Sequence, residues 1–482
     1  MVAFALFGNL YVQAQYDENE TSKLRAFLSQ ESAEPGVKNY QQLGLSQIND
    51  INWGSVPGLT WNGQTYLLTN IHWANKKLAG NLDLSDFKGL RIVYCQGNSL
   101  RRLNVTGDSA IIYLDCYENN LYSLDFSTNV NLTELCFRYN HLQEIDLSNN
   151  KKLSFLCSTG NQLETLDLSG LSMLSTCYCV GNKLTSLNLE GCVKLKELLC
   201  MDNFLTTLDL SDKPVLTEFS CARNNITDII INSSTLRRFD CSNNYLKTLD
   251  LTGFYNLSYL KCSDNLLEKL IINDCTYLEE LNCNNNLLDL LVAPYSYNLV
   301  SFECKENNMD FFTLPKLPES VNYIYSPQNN RVAEADISYA DFSSFFEIDG
   351  FTSRYLWHES VKYLTPEMIE GGVFRFDESF SDKQLICRIE NMSFPRLVLR
   401  YDVTMRNEDV GNVNPDNNVP SVYASKGYIH IVTGSVVDVR IYSMQGTLLM
   451  TKNAVEGRTD IPVERGMYVV SMNNKGYKLT VR

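Results

Sequence analysis

The chain is poor in histidine. Its 482 residues include four, His72, His141, His358 and His430, which lie far apart and form no metal-ligand spacing. It lacks any basic excess: 41 Lys and Arg stand against 56 Asp and Glu, a formal net charge of −15. A polyanion repels phosphate backbones, so nucleic acid is a poor partner. An anionic membrane surface is disfavoured for the same reason. No apolar run of about eighteen residues occurs beyond the N-terminus, so no transmembrane helix is expected. Nucleophile elbow, phosphate loop, GxGxxG and HExxH are all missing. His358-Glu-Ser lacks the second histidine of a zinc protease. Paired carboxylates fall at solvent-facing positions with no histidine partner. These absences argue against an enzyme, and no cofactor or metal is expected.

Apolar residues are plentiful. Hydrophobic residues make up 44% and charged ones 20%, enough for packed cores, and the length suits about three domains. A ladder runs through the middle: Asn98, Asn119, Asn140, Asn161, Asn182, Asn203, Asn224, Asn244, Asn265, Asn286 and Asn307. Every step is 21 residues except one of 20. Around each Asn the pattern is LxxLxCxxNxL, then xxLDLS and a polar turn, as in Leu236 to Leu246. This resembles leucine-rich repeats, specifically the short 21-residue bacterial kind. A repeat of this sort is one solenoid turn that buries its apolar residues only by stacking. Leu198 and Cys200 of one turn should stack on Phe219 and Cys221 of the next, on parallel strands about 4.8 Å apart. Each Asn should turn inward to satisfy loop N–H and C=O groups. The repeat is too short for a long convex helix, so extended or turn-like backbone is expected there.

Fifteen cysteines suggest a disulfide framework at first, but their register argues otherwise. Cys95, Cys116, Cys179, Cys200, Cys221, Cys241, Cys262, Cys283 and Cys304 share one inward position, where they act as small buried hydrophobes. Side-by-side Cβ vectors suit disulfide geometry badly, and a single column supplies no tetrahedral metal site. Cys136 and Cys157 break the column by one residue, because Phe137 and Ser158 take the inward slot. Two readings are open for them: an outward-facing reactive thiol pair, or a β-bulge that turns them back inside.

Residues 1–14 read as a signal peptide without a basic start: a short apolar run, then Val12-Gln13-Ala14 as a cleavage site. No Cys precedes Cys95, so no lipoprotein anchor is expected. Residues 15–85 look like a helical N-terminal cap with an irregular zeroth turn. Trp53 and Trp61 there are read as cap packing in preference to sugar stacking. The solenoid with its C-terminal cap is placed at 86–330, and the repeats should stop at Thr313 to Pro318, where two prolines disrupt strand pairing. Residues 331–406 carry short alternating runs and read as a small β-sandwich, resembling immunoglobulin-like modules. Residues 407–420 have linker composition; the calcium-loop alternative at Asp416 to Asn418 lacks the acidic spacing. Residues 421–482 resemble the C-terminal sorting domain of type IX-secreted Bacteroidetes proteins, through Val439 to Gly446, Gly466 to Val470 and the end Lys478 to Arg482. That resemblance implies export and surface attachment. The expected fold is therefore mainly β: about eleven 21-residue turns with a helical cap, then two small β-sandwich domains.

In LxxLxCxxN the residues flanking the inward Leu and Cys face out from the concave sheet. In the first turns these are Ile92, Tyr94, Tyr113, Tyr117, Phe155, Tyr178, Leu199 and Met201, with Glu134 and Arg138 alongside. Later turns become polar: Glu218, Arg238, Asp240, Lys261, Asn282 and Glu303. Exposed aromatics at that density suggest a recognition surface. The alternative is that they pack on each other or on the cap. The expected function is non-catalytic binding of an extracellular protein by a secreted or surface-attached bacterial monomer. Glycan capture and a purely structural spacer are the alternatives.

Overall fold

The computed structural model describes residues 16–292, 298–337, 340–406 and 421–481, the last stretch with short breaks at 426–427, 434–435, 444–447, 455–456, 465 and 473–474. The signal-peptide, linker and calcium-loop assignments lie outside the described residues. The chain divides into two compact units, Met1–Asn329 and Asn330–Arg482.

The first unit begins with a helix, Glu18–Leu28, because Asp17 caps the Glu20 N–H at 3.1 Å and satisfies a donor the first turn leaves free. Leu24, Phe27 and Leu28 share its buried face at helical spacing. Phe27 stacks on the fully buried Trp73, ring centroids 5.7 Å apart. Trp53 is buried, and the Trp61 indole N–H donates to its carbonyl at 3.0 Å. Both tryptophans are cap packing.

A fourteen-stranded sheet follows. Its first pair, Leu59–Trp61 and Leu68–His72, is antiparallel. From Leu68–His72 to Asn322–Ile324 all neighbours run parallel. Most strands are three residues long with only the middle side chain inward, so Leu135, Leu156, Cys177, Leu198, Phe219 and Phe239 stack as one buried column. The nine in-register cysteines form the next column; all are buried, with free thiols. Opposite the sheet the backbone is turn-like, with short two-stranded pairs such as Thr165–Asp167 and Ser186–Asn188.

The asparagines bind one turn to the next. The Asn203 amide donates to the Cys200 carbonyl of its own turn at 3.1 Å and to the Cys179 carbonyl of the preceding turn at 3.0 Å. Its oxygen accepts the Leu184 N–H at 3.0 Å. The same triad recurs at Asn119, Asn140 and Asn161. The residue before each rung is left-handed and swings the side chain inward: Asp202 has φ 57°, Glu118 50°, and Gly97, Gly160 and Gly181 fill the slot elsewhere, where glycine carries no Cβ penalty.

The solenoid continues past Pro315 and Pro318, contrary to the sequence expectation. Asn322–Ile324 pairs in parallel with Ser301–Glu303. Gln328, 21 residues after Asn307, serves as a further rung: its amide donates to the Cys304 carbonyl at 2.9 Å and its oxygen accepts the Asn307 N–H at 3.2 Å. The prolines fall in the segment between strands, where no ladder N–H is needed.

In the second unit, residues 331–406 form a five-stranded, a three-stranded and a two-stranded sheet. Trp357 is buried against Phe342, Phe374 and Phe376, centroids 4.9–5.5 Å away. The edge strand Arg331–Asp336 runs parallel to Val398–Arg406. Residues 421–481 make a three-stranded and a four-stranded sheet around Ile429, Ile431, Val439, Ile441, Ile461 and Val470. The architecture is mainly β throughout, a solenoid followed by small β-sandwiches.

Candidate functional site: the concave sheet

Three-residue strands fix the concave face. With the middle residue inward, the first and third must point out, and parallel registration turns them into rows. One row reads His72, Tyr94, Asp115, Cys136, Cys157, Tyr178, Leu199, Ser220, Asp240, Lys261, Asn282, Glu303. The other reads Ile92, Tyr113, Glu134, Phe155, Thr176, Glu197, Glu218, Arg238, Tyr259, Glu280, Ser301. Tyr117, Arg138 and Met201 follow the inward column in their turns.

Ile92, Tyr94, Tyr113, Tyr117, Phe155, Tyr178, Leu199 and Met201 are all half-buried. The aromatic ones pack on neighbours while keeping part of each ring in solvent. His72 stacks on Tyr94 at 5.0 Å, and Tyr94 lies 4.8 Å from Tyr113. The Arg138 guanidinium sits 4.4 Å over Tyr117. Phe155 meets Tyr178 edge-on at 5.7 Å, and the Tyr178 hydroxyl donates to Glu197 at 2.6 Å. The strands bring these residues together as two groups rather than one patch. His72, Tyr94 and Tyr113 form the first; Phe155 and Tyr178 form the second; Tyr117 pairs with Arg138. Asp115, Cys136 and Cys157 stand between the two groups.

Electrostatics differ along the rows. Burial pushes the Asp115 carboxyl up from the usual carboxylate range. Burial, helped by Asp115 and Tyr94, pushes the Tyr113 phenol up. Burial and then Glu197 do the same to Tyr178. Farther along, Glu218 lies 3.9 Å from Arg238, whose guanidinium sits 4.3 Å over Tyr259. Asn282 donates to Glu303 at 3.0 Å. The later half is therefore already internally paired.

Sequence reasoning missed His72 and Tyr259. His72 belongs to the irregular zeroth turn, but the buried Ile71 beside it occupies the inward slot. Tyr259 holds the register of Tyr113 amid polar neighbours. Cys136 and Cys157 face the concave side in unbroken register, with Phe137 and Ser158 buried behind them. Their two strands pair without a register shift. Cys157 is nonetheless 5% exposed, well covered by its neighbours, and Cys136 is half-buried. Among the described residues, no group of three or more His, Cys, Asp or Glu is placed to hold a metal ion, and no helix is long and apolar enough to cross a membrane.

The inward leucines, the asparagine rungs and the parallel concave sheet together define a leucine-rich-repeat solenoid. Solved structures of such solenoids are similar to this chain. The functional domain of InlJ from Listeria monocytogenes, described as including a cysteine ladder, matches at 18% identity over 70% of this chain and 90% of that one, TM-score 0.43. YopM, a leucine-rich effector protein from Yersinia pestis, matches at 22% identity over 52% of this chain and 88% of that one, TM-score 0.35. No protein-family model matches the chain, and no curated protein matches it.

Proposed function

We propose that the chain is a secreted or surface-attached bacterial monomer that binds a protein ligand, without catalysis, through the N-terminal half of its concave face. One observation carries this reading: His72, Tyr94, Tyr113 and Tyr117 keep part of each ring in solvent on, or just after, consecutive short strands. A ring fixed by its neighbours loses little entropy on binding, and a tyrosine adds a polar handle. The paired charges of later turns offer fewer unsatisfied groups. The apolar start of the sequence and the sorting-domain resemblance of 421–482 support export and surface attachment. Ring-to-ring spacing of Tyr94 and Tyr113 also suits stacking on sugar rings, which keeps a glycan ligand as the second reading.

The test is a binding screen of the full chain against arrays of extracellular proteins and glycans, beside a Tyr94→Ser/Tyr113→Ser/Tyr117→Ser variant with an unchanged far-UV spectrum. A protein hit weakened at least about tenfold in the variant is expected, since losing even one hot-spot ring costs about 1.4 kcal/mol or more. A glycan hit lost in the variant would replace the protein reading with the second. Hits that the variant retains in full would move the site off this face.

A further inference from the structure

Most thiols of this chain are sealed inside it. Burial pushes those of Cys116, Cys221, Cys262 and Cys283 well above the usual thiol range, where they neither ionise nor meet reagents. Cys136 and Cys157 are different. They are in-register neighbours on the strands Glu134–Cys136 and Phe155–Cys157, outside the inward column, and Cys136 keeps a solvent-facing edge. Arg138, held over Tyr117, places a guanidinium beside them. The Thr159 hydroxyl lies 3.9 Å from the Cys157 sulfur. We propose that Cys136 and Cys157 form a dithiol site on the concave face that exchanges with low-molecular-weight disulfides and closes into a reversible cross-strand disulfide.

The strand spacing brings the pair within reach, although side-by-side Cβ vectors make the bond a strained one. Neighbouring parallel strands lie about 4.8 Å apart, inside the Cα window of about 4.4–6.8 Å for a disulfide. Side-by-side Cβ vectors mean that closure draws two turns together against the stacked Leu135 and Leu156. A bond made that way is more easily reduced than a relaxed structural one, as reversibility requires. The electrostatics agree. The neighbouring Cys136 thiol, with Thr159 and Arg138 beside it, outweighs burial and draws the Cys157 thiol below the usual thiol range. The Cys157 neighbour, and then burial, push the Cys136 thiol up.

With a reagent R–S–S–R the steps balance. The thiolate of the pair attacks one sulfur, the S–S bond breaks, and one R–S⁻ leaves and is protonated by solvent. The second thiol loses its proton and attacks the mixed disulfide. The second R–S⁻ leaves as the Cys136–Cys157 bond forms. Two electrons pass from the pair to the reagent, which ends as two thiols.

The proposal does not depend on the identity of any ligand, so its test stands apart from the binding screen. The reduced, folded full chain is treated with 5,5′-dithiobis(2-nitrobenzoate), itself a disulfide. About two equivalents of thionitrobenzoate should be released with no label retained, because the second thiol expels the first label. Peptide mapping should find Cys136 joined to Cys157, and dithiothreitol should reverse it. Single Cys136→Ser or Cys157→Ser variants should instead retain a label on the remaining thiol. Ser220 already occupies the same row in a later turn, beside Leu199, so serine suits the sheet, and a far-UV spectrum checks folding. No release from the folded chain, or release unchanged in the double serine variant, would overturn the proposal.

Discussion

Replacing Asn203 by alanine removes one rung from the middle of the solenoid. The side chain belongs to a residue only 5% exposed, so water does not replace what it loses. The Leu184 N–H loses the acceptor it has at 3.0 Å, and the carbonyls of Cys179 and Cys200 each lose one of two asparagine amides, keeping those of Asn182 and Asn224. An unsatisfied buried N–H costs about 1–3 kcal/mol and each further lost hydrogen bond about 0.5–1.5 kcal/mol, so the variant should lose about 2–6 kcal/mol where those turns meet. Stability in a solenoid is close to a sum of nearest-neighbour terms. The loss should therefore uncouple the turns on either side and broaden or split the unfolding transition. Urea denaturation followed by circular dichroism reads the first effect. Amide exchange at Leu184 reads the local one. Asn256→Ala is the control: that side chain is exposed and makes a 2.8 Å bond to the Ser234 carbonyl, so about 1 kcal/mol or less is expected. If Asn203→Ala cost no more than this control and left Leu184 protected, the asparagine rungs would not be what couples the turns.

Two more predictions concern the same unit. Burial raises the carboxyl of Glu20 to about 7 and that of Asp108 to about 8. Both folded values exceed the unfolded ones, so the folded chain binds the extra protons and the stabilisation they give is full below about 4. It is lost as pH rises through about 7 and 8; thermal melts should fall between about pH 5 and 9, and Glu20→Gln with Asp108→Asn should flatten that slope. A slope unchanged by the double variant would remove these two groups as its cause. Phe219 is buried and stacked on Phe239 at 5.1 Å, so Phe219→Ala should cost about 3–5 kcal/mol, measured by denaturant titration; a loss under about 1 kcal/mol would mean the column does not carry the stack.

The rungs were legible in the sequence because each turn repeats the same physical problem. A residue that must bridge two turns recurs at the same spacing, and the inward Leu, Phe and Cys recur with it. Strand alternation then dictated that Tyr94, Tyr113 and Tyr178 face out. The periodicity itself pointed beyond Asn307, since Gln328 lies one further period along. Reading Pro315 and Pro318 as a stop ignored that only the three-residue strands need free N–H groups.

How the outward residues share the concave surface was not legible. Adjacent side chains stand about 4.8 Å apart, less than the width of an aromatic ring with its contacts, so each ring's exposure is settled by the next turn's residue. That is why Tyr113 leans toward Tyr94 while Tyr178 turns to Glu197. It is also why Cys157 is covered although its backbone faces out. The order of residues was enough for the solenoid, its register and the assignment of residues to faces, because these follow from a period and an alternation. Which of the outward residues pair, which stay open and where two thiols meet emerged from the folded chain alone, because side chains from different turns compete there for the same space.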